Sequence, residues 1–146
     1  MQSILSFFLS IIMAFFSLFG LGGKSQTWTV AKSDIDSLNL TTYSYSMKTV
    51  NSLGVEKNRT FTGVRLKDYL AAKGVDLNAL PNGATLTVKT TDIYSAPTFS
   101  RTLILDDRTL IAWQEDGKTI PLRLCPGSTT DTKYYVKNLK SITLKY

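Results

Sequence analysis

The stretch LIAWQEDGKTIPLRLCPG, residues 110–127, holds two apolar, β-type runs on either side of Asp116-Gly117. Asp-Gly between such runs is a tight-turn signal. The favoured two-residue hairpin turns need positive φ, which glycine adopts without a Cβ clash. The segment therefore predicts strand, turn, strand. Its second strand carries a Pro121-Leu122-Arg123 step and the chain's single cysteine, Cys125. That cysteine could be read as a displaced metal or redox ligand, since a thiolate is soft and nucleophilic. The preferred reading is a small apolar residue in a buried strand.

Similar runs rich in Thr, Val, Ile and Tyr recur on both sides: TWTVA, TTYSYSMKTV, RTFTGV, ATLTVKT, RTLILDD, KYYVKN and SITLKY. Each reads as a short strand. In ATLTVKT, Leu86 and Val88 fall on one face and Thr85, Thr87 and Lys89 on the other. In the last run Ile142, Leu144 and Tyr146 share a face at period two. One main helix interrupts them. In RLKDYLAAKG, Leu66, Tyr69 and Leu70 make an i, i+3, i+4 stripe, and Gly74 stands where a C-cap needs positive φ. A second short turn is expected over LNAL, ended by Pro81-Asn82-Gly83. The expected fold class is α+β and β-rich, one main helix packed on sheet.

The chain has 146 residues and a net charge of +6. The first 23 residues contain no Lys, Arg, Asp or Glu, so the 17 basic and 11 acidic residues all follow Gly23. The lysines are scattered without a dense run, which fits a solvated basic surface and predicts no nucleic-acid partner. Histidine is absent. This excludes a histidine general base, histidine zinc sites and histidine-ligated haem. A lone cysteine can form neither an internal disulfide nor a Cys-rich metal cage.

ILSFFLSIIMAFFSLFGLG, near the N-terminus, is uncharged and apolar on every face. About 20 helical residues cross a bilayer's hydrocarbon core. The segment reads as a hydrophobic N-terminal helix, either a signal peptide or a membrane anchor that would hold the chain through residues 4–21 if uncleaved. GGKSQ reads as a linker. The expected division is a leader at 1–23 and a domain at 24–146, placed extracytoplasmically, secreted or membrane-anchored.

The segments FTGVRLKDYLAAKGV, TDIYS, LIAWQEDGK, PLRL, PG and YVKNLKSITL occur in one order. That series resembles the molybdopterin-binding oxidoreductase domain of the sulfite oxidase family, over most of residues 61–144. The resemblance implies a mostly β, α+β core that in full-length relatives holds a molybdenum–pterin cofactor. It also implies that Arg123 and Lys137 match the arginine and lysine that help bind the pterin's phosphate. Asp92-Ile93-Tyr94-Ser95 stands where relatives carry Asp-Gly-Tyr-Ser, which puts Asp92, Tyr94 and Ser95 at the pocket mouth. The departures are equally specific. Relatives carry a molybdenum-ligating cysteine well upstream of the Thr-Gly-Val step, and residues 27–60 contain none. Only Thr119 and Ile120 separate Lys118 from Pro121, where relatives have a longer loop, usually with His-Gly.

The resulting expectation is a non-catalytic ligand-binding or interaction module on this frame. Its ligand would be an anionic small molecule or pterin; no catalytic residue, metal ligand or required cofactor is assigned. Two alternatives stand beside it. One is a molybdopterin-dependent oxidoreductase with an atypical site. The other is an envelope structural or interaction protein that uses Tyr-rich runs such as TTYSYS and KYYV as contact surface, its protein partner unknown.

Overall fold

The computed structural model describes residues 23–92 and 96–146. The apolar leader, Tyr94 and Ser95 therefore lie outside the described residues. The strands are β1 (Ser25–Thr29), β2 (Thr42–Val50), β3 (Glu56–Arg65), β4 (Thr85–Thr90), β5 (Phe99–Ser100), β6 (Thr109–Glu115), β7 (Lys118–Pro126) and β8 (Leu139–Lys145). They form two four-stranded antiparallel sheets, ordered β1-β8-β4-β5 and β2-β3-β6-β7. The molecule is β-rich with few helices, as its Thr, Val and Tyr runs predict.

The β6–β7 hairpin closes with Glu115 paired to Lys118. Its two turn residues, Asp116 and Gly117, have φ of 51° and 78°. Asp116 also locks the turn to β3: its carboxylate accepts from Thr60 N at 2.8 Å and its own N–H donates to Thr60 O at 2.8 Å. The final strand, β8, lies between β1 and β4, so Ile142 pairs with both Trp28 and Val88. Ile142 and Leu144 are buried, as the period-two pattern requires.

The expected helix is α2 (Leu66–Ala72), and it buries Leu66, Tyr69 and Leu70 against the main core. Gly74, at φ 95°, lets the chain turn back so that Val75 N reaches Leu70 O at 3.0 Å. The LNAL turn is a 3-10 turn at Leu77–Ala79. Two further short α-helices, not anticipated from the sequence, accompany it: α1 (Lys32–Ser37) and α3 (Arg101–Leu105). α3 corrects the reading of RTLILDD as a strand. Ser100 Oγ accepts from Leu103 N at 3.4 Å, an N-cap that starts the helix, and Ile104 drops into the core. KYYVKN is likewise no continuous strand. Asp131 caps a 3-10 turn at Thr132–Tyr134 by accepting from Lys133 N at 3.1 Å. Extended pairing is then limited to a bridge between Val136 and Leu124.

The second sheet is covered on both faces. Val64, Ile111 and Leu124 point inward to the main core with α2 and the first sheet. Met47, Phe61, Leu110, Ala112 and Cys125 point outward and form a second cluster beneath Tyr135. Gly63 allows the sheet to close. A Cβ there would lie 2.0 Å from Ile111 O, at a bulge between Thr62 and Gly63.

Candidate anion-binding cleft

The outer face of the second sheet carries the site. β7 alternates, so Leu124 faces the main core while Arg123 and Cys125 face outward. Arg123 is only 7% exposed. Its Nη1 donates to Glu115 Oε1 at a long 3.3 Å, and its guanidinium carbon stands 5.5 Å from the Phe61 ring centroid. Its Nε is buried and has no hydrogen-bond partner among the described residues. A buried donor in this position is free to bond an acceptor brought by a ligand or a water.

Arg59, from β3, donates to the same Glu115 oxygen at 2.8 Å. Antiparallel pairing sets Phe61 opposite Glu115, which carries Arg59 toward that carboxylate. Lys137 completes the group; it is exposed and has no ion-pair partner among the described residues. Arg59, Phe61, Arg123, Thr132, Tyr135 and Lys137 surround a cavity of about 150 Å³. Three cationic side chains thus line the cavity, and two of them, Arg59 and Arg123, share the Glu115 carboxylate. The imbalance favours a bound carboxylate or phosphate, for which a guanidinium fork and an ammonium are suited donors.

The small cavity adjoins a cleft of about 850 Å³, and both are lined by Asn51, Thr132, Tyr135 and Lys137. Asp92 lies on the cleft rim, accepting from Thr90 Oγ1 at 2.6 Å and from Asn138 Nδ2 at 3.2 Å. Residues 128–135 form a strap across the outer face. Val50 N donates to Thr130 O at 2.7 Å, and Tyr135 Oη donates to Thr129 O at 2.9 Å. Burial, with Cys125 adding to it, pushes the Tyr135 phenol up to about 12, so it stays a neutral donor. Burial also pushes the Cys125 thiol well up, despite the lowering effect of Arg123. Cys125 Sγ lies 3.9 Å from Arg123 O, is fully buried and does not line the small cavity.

Of the expected residues, Arg123 lines the small cavity, Asp92 the adjoining cleft and Lys137 both, while Tyr94 and Ser95 fall outside the described residues. Arg59, Glu115 and Tyr135 were not singled out by sequence reasoning. Arg59 is 56 positions from its partner, and only the strand register brings the two together. Trp28 and Trp113 pack partly buried on the main core. Asp106-Asp107-Arg108 is a turn in which Asp106 accepts from Arg108 N at 2.8 Å. A hydrogen bond from Lys67 holds the Asp107 carboxyl below its usual range. Tyr43 and Tyr45 stack at 5.8 Å under Arg65, and Tyr134 packs edge-on against Phe99. Among the described residues, no three His, Cys, Asp or Glu side chains gather to hold a metal, and no helix is long and apolar enough to cross a membrane. No protein-family model matches the chain, and no curated protein is significantly similar to it.

Proposed function

We propose that this chain is a small-anion-binding module, non-catalytic, on a frame like the molybdopterin-binding domain of the sulfite oxidase family. In this reading the apolar leader exports the domain or tethers it at a membrane. The single observation behind it is the buried Arg123 Nε without an acceptor, beside Lys137 and Arg59 in one cavity. The cleft also suits one half of a molybdenum–pterin group and not the other. Arg123 and Lys137 would hold its phosphate. The metal has no matching ligand, because the one thiol is buried, neutral and outside the small cavity. Such a group, when bound, supplies oxidoreductase chemistry; this chain's own residues offer anion recognition and a cleft for the attached body.

Two measurements test the reading. Calorimetric titration of the full chain with inorganic phosphate should give saturable binding, and Arg123→Met should weaken it by about thirtyfold or more, the worth of a buried charge-assisted contact. Equal binding by wild type and Arg123→Met would sink the anion site. Expression in a host that makes molybdenum cofactor should yield protein with pterin or no cofactor, and no stoichiometric molybdenum. Near-equimolar molybdenum and pterin would instead establish the oxidoreductase with an atypical site.

A further inference from the structure

Three hollows adjoin one another on the outer face of the second sheet, and each shares a cation with the next. Lys137 lines both the wide cleft and the small cavity. Arg59 lines both the small cavity and a third hollow of about 610 Å³. Lys57 stands two residues before Arg59 on β3, so the pleat sends both to the outer face. Lys118 opens β7 and pairs in register with Glu115 across the hairpin turn. Both lysines line the third hollow, both are exposed, and neither has an ion-pair partner among the described residues.

Exposed lysines alone make only a solvated face. These two lie across one shared guanidinium from a cavity where the buried Arg123 Nε is free for an acceptor. The carboxylates nearby are committed: Glu115 accepts from Arg59 and Arg123, and Asp116 accepts from Thr60 N. Arg59 bonds Glu115 through Nη1 alone, and its Nη2 and Nε have no hydrogen-bond partner among the described residues. The small cavity and the third hollow thus present five cations, Lys57, Arg59, Lys118, Arg123 and Lys137, beside two carboxylates already bonded. A single anion in the small cavity leaves Lys57, Lys118 and the free edge of Arg59 without a counter-charge. A second anionic group, joined to the first by a link short enough to pass one guanidinium, supplies it. A planar arginine fork between two ammonium groups is suited to two phosphates in succession.

We propose, resting on the anion-binding reading above, that the ligand is a diphosphate monoester whose terminal phosphate is held by Lys57, Lys118 and Arg59. The order of the hollows sets its direction. The organic body lies in the wide cleft, where Asn51, Ser52, Thr132 and Asn138 offer hydrogen bonds to a polar group. The inner phosphate meets Arg123 and Lys137, and the terminal one passes Arg59 into the third hollow.

Calorimetric titration of the full chain with inorganic pyrophosphate and with inorganic phosphate, at one ionic strength, tests this. Pyrophosphate should bind about tenfold tighter or more, the worth of a further charge-assisted contact. Lys57→Gln combined with Lys118→Gln should remove that advantage and leave phosphate affinity within about twofold, which also shows that the variant folds. The same charge removed from exposed positions on the first sheet, by Lys89→Gln with Lys145→Gln, should keep the advantage. That control separates a subsite from general attraction to a basic protein. Equal affinity of wild type for the two anions would overturn the proposal and leave the phosphate site standing. So would an advantage that falls as far with the first-sheet pair as with Lys57 and Lys118. Binding of both anions undiminished by Arg123→Met would instead remove the site on which both readings rest.

Discussion

Neighbouring residues on one strand, Arg123 and Leu124, show how differently the two faces of the β2–β3–β6–β7 sheet are made. The inner face meets α2 and the first sheet with Val64, Ile111 and Leu124 at 0–1% exposure, and its buried Thr109 hydroxyl is satisfied by Leu103 O at 2.6 Å. The outer face closes with Met47, Phe61 and Leu110 at its centre, but its edges are arginines, tyrosines and a strap. Both buried side-chain nitrogens lacking a hydrogen bond among the described residues are arginine Nε atoms, on Arg65 and Arg123. Arg65 compensates elsewhere: its Nη2 donates to Tyr45 Oη at 2.9 Å and its guanidinium carbon lies 3.9 Å from the Tyr43 ring centroid. Arg123 has a longer contact, 5.5 Å from its guanidinium carbon to the Phe61 ring centroid, and a long bond to a carboxylate already held by Arg59. One face is built for stability. The other retains a costly group beside a cavity, as binding surfaces do.

The harshest way to break this division is at Gly63, on which both faces rest. A methyl there collides with the Ile111 carbonyl, a backbone atom that cannot step aside. Gly63→Ala should cost about 4 kcal/mol or prevent folding, and should remove phosphate binding with it. Denaturant unfolding followed by tryptophan fluorescence reads the first effect. A loss below about 1 kcal/mol would mean β3 can lift from β6 at little cost, so that the two faces do not depend on this close approach.

Leu124 and Arg123 then separate the faces. Leu124→Ala leaves a cavity in the main core and should cost about 3 kcal/mol, with phosphate affinity unchanged once the protein is folded. Arg123→Met should do the reverse. Removing a buried, poorly paired charge while keeping its volume should leave stability within about 1 kcal/mol or raise it, while binding is lost. If Arg123→Met were as destabilising as Leu124→Ala, the arginine would be a structural ion pair and the contrast between the faces would fail.

The frame was legible where local chemistry decides conformation. Asp116-Gly117 marked the hairpin because both residues take positive φ. Leu66, Tyr69, Leu70 and Gly74 marked α2 because a stripe and a cap coincide. α3 was misread because RTLIL is a short apolar run, which suits a strand or a buried helical turn equally, and the Ser100 cap arbitrates between them. α1 offers one buried residue, Ile35, too few for any period. In the site, Arg123, Lys137 and Asp92 came from the resemblance. Arg59 and Tyr135 could not come from spacing: a register 56 residues apart brings in the first, and a strap folding back over Phe61 brings in the second.

Tyr135 gives the mildest and most discriminating test of the outer face. Its ring packs on Phe61 with centroids 5.8 Å apart, and its hydroxyl holds the strap at Thr129. Burial raises its pKa from 10.0 to about 12. Below pH 10 the phenol is neutral in folded and unfolded chains alike, and its stabilising contribution is complete. Between about 10 and about 12 only the unfolded chain ionises, so the contribution drains away as pH rises. Tyr135→Phe should therefore cost about 1 kcal/mol at neutral pH, the worth of one hydrogen bond. It should also recover about 1 to 2 kcal/mol relative to wild type by pH 12. Tyr69 and Cys125, whose pKa values burial also raises, remain in the variant, so its alkaline slope becomes shallower without vanishing. Unfolding curves of the two proteins that stay parallel from pH 9 to pH 12 would mean the phenol is hydrated in solution, and with it that the strap does not seal the outer face.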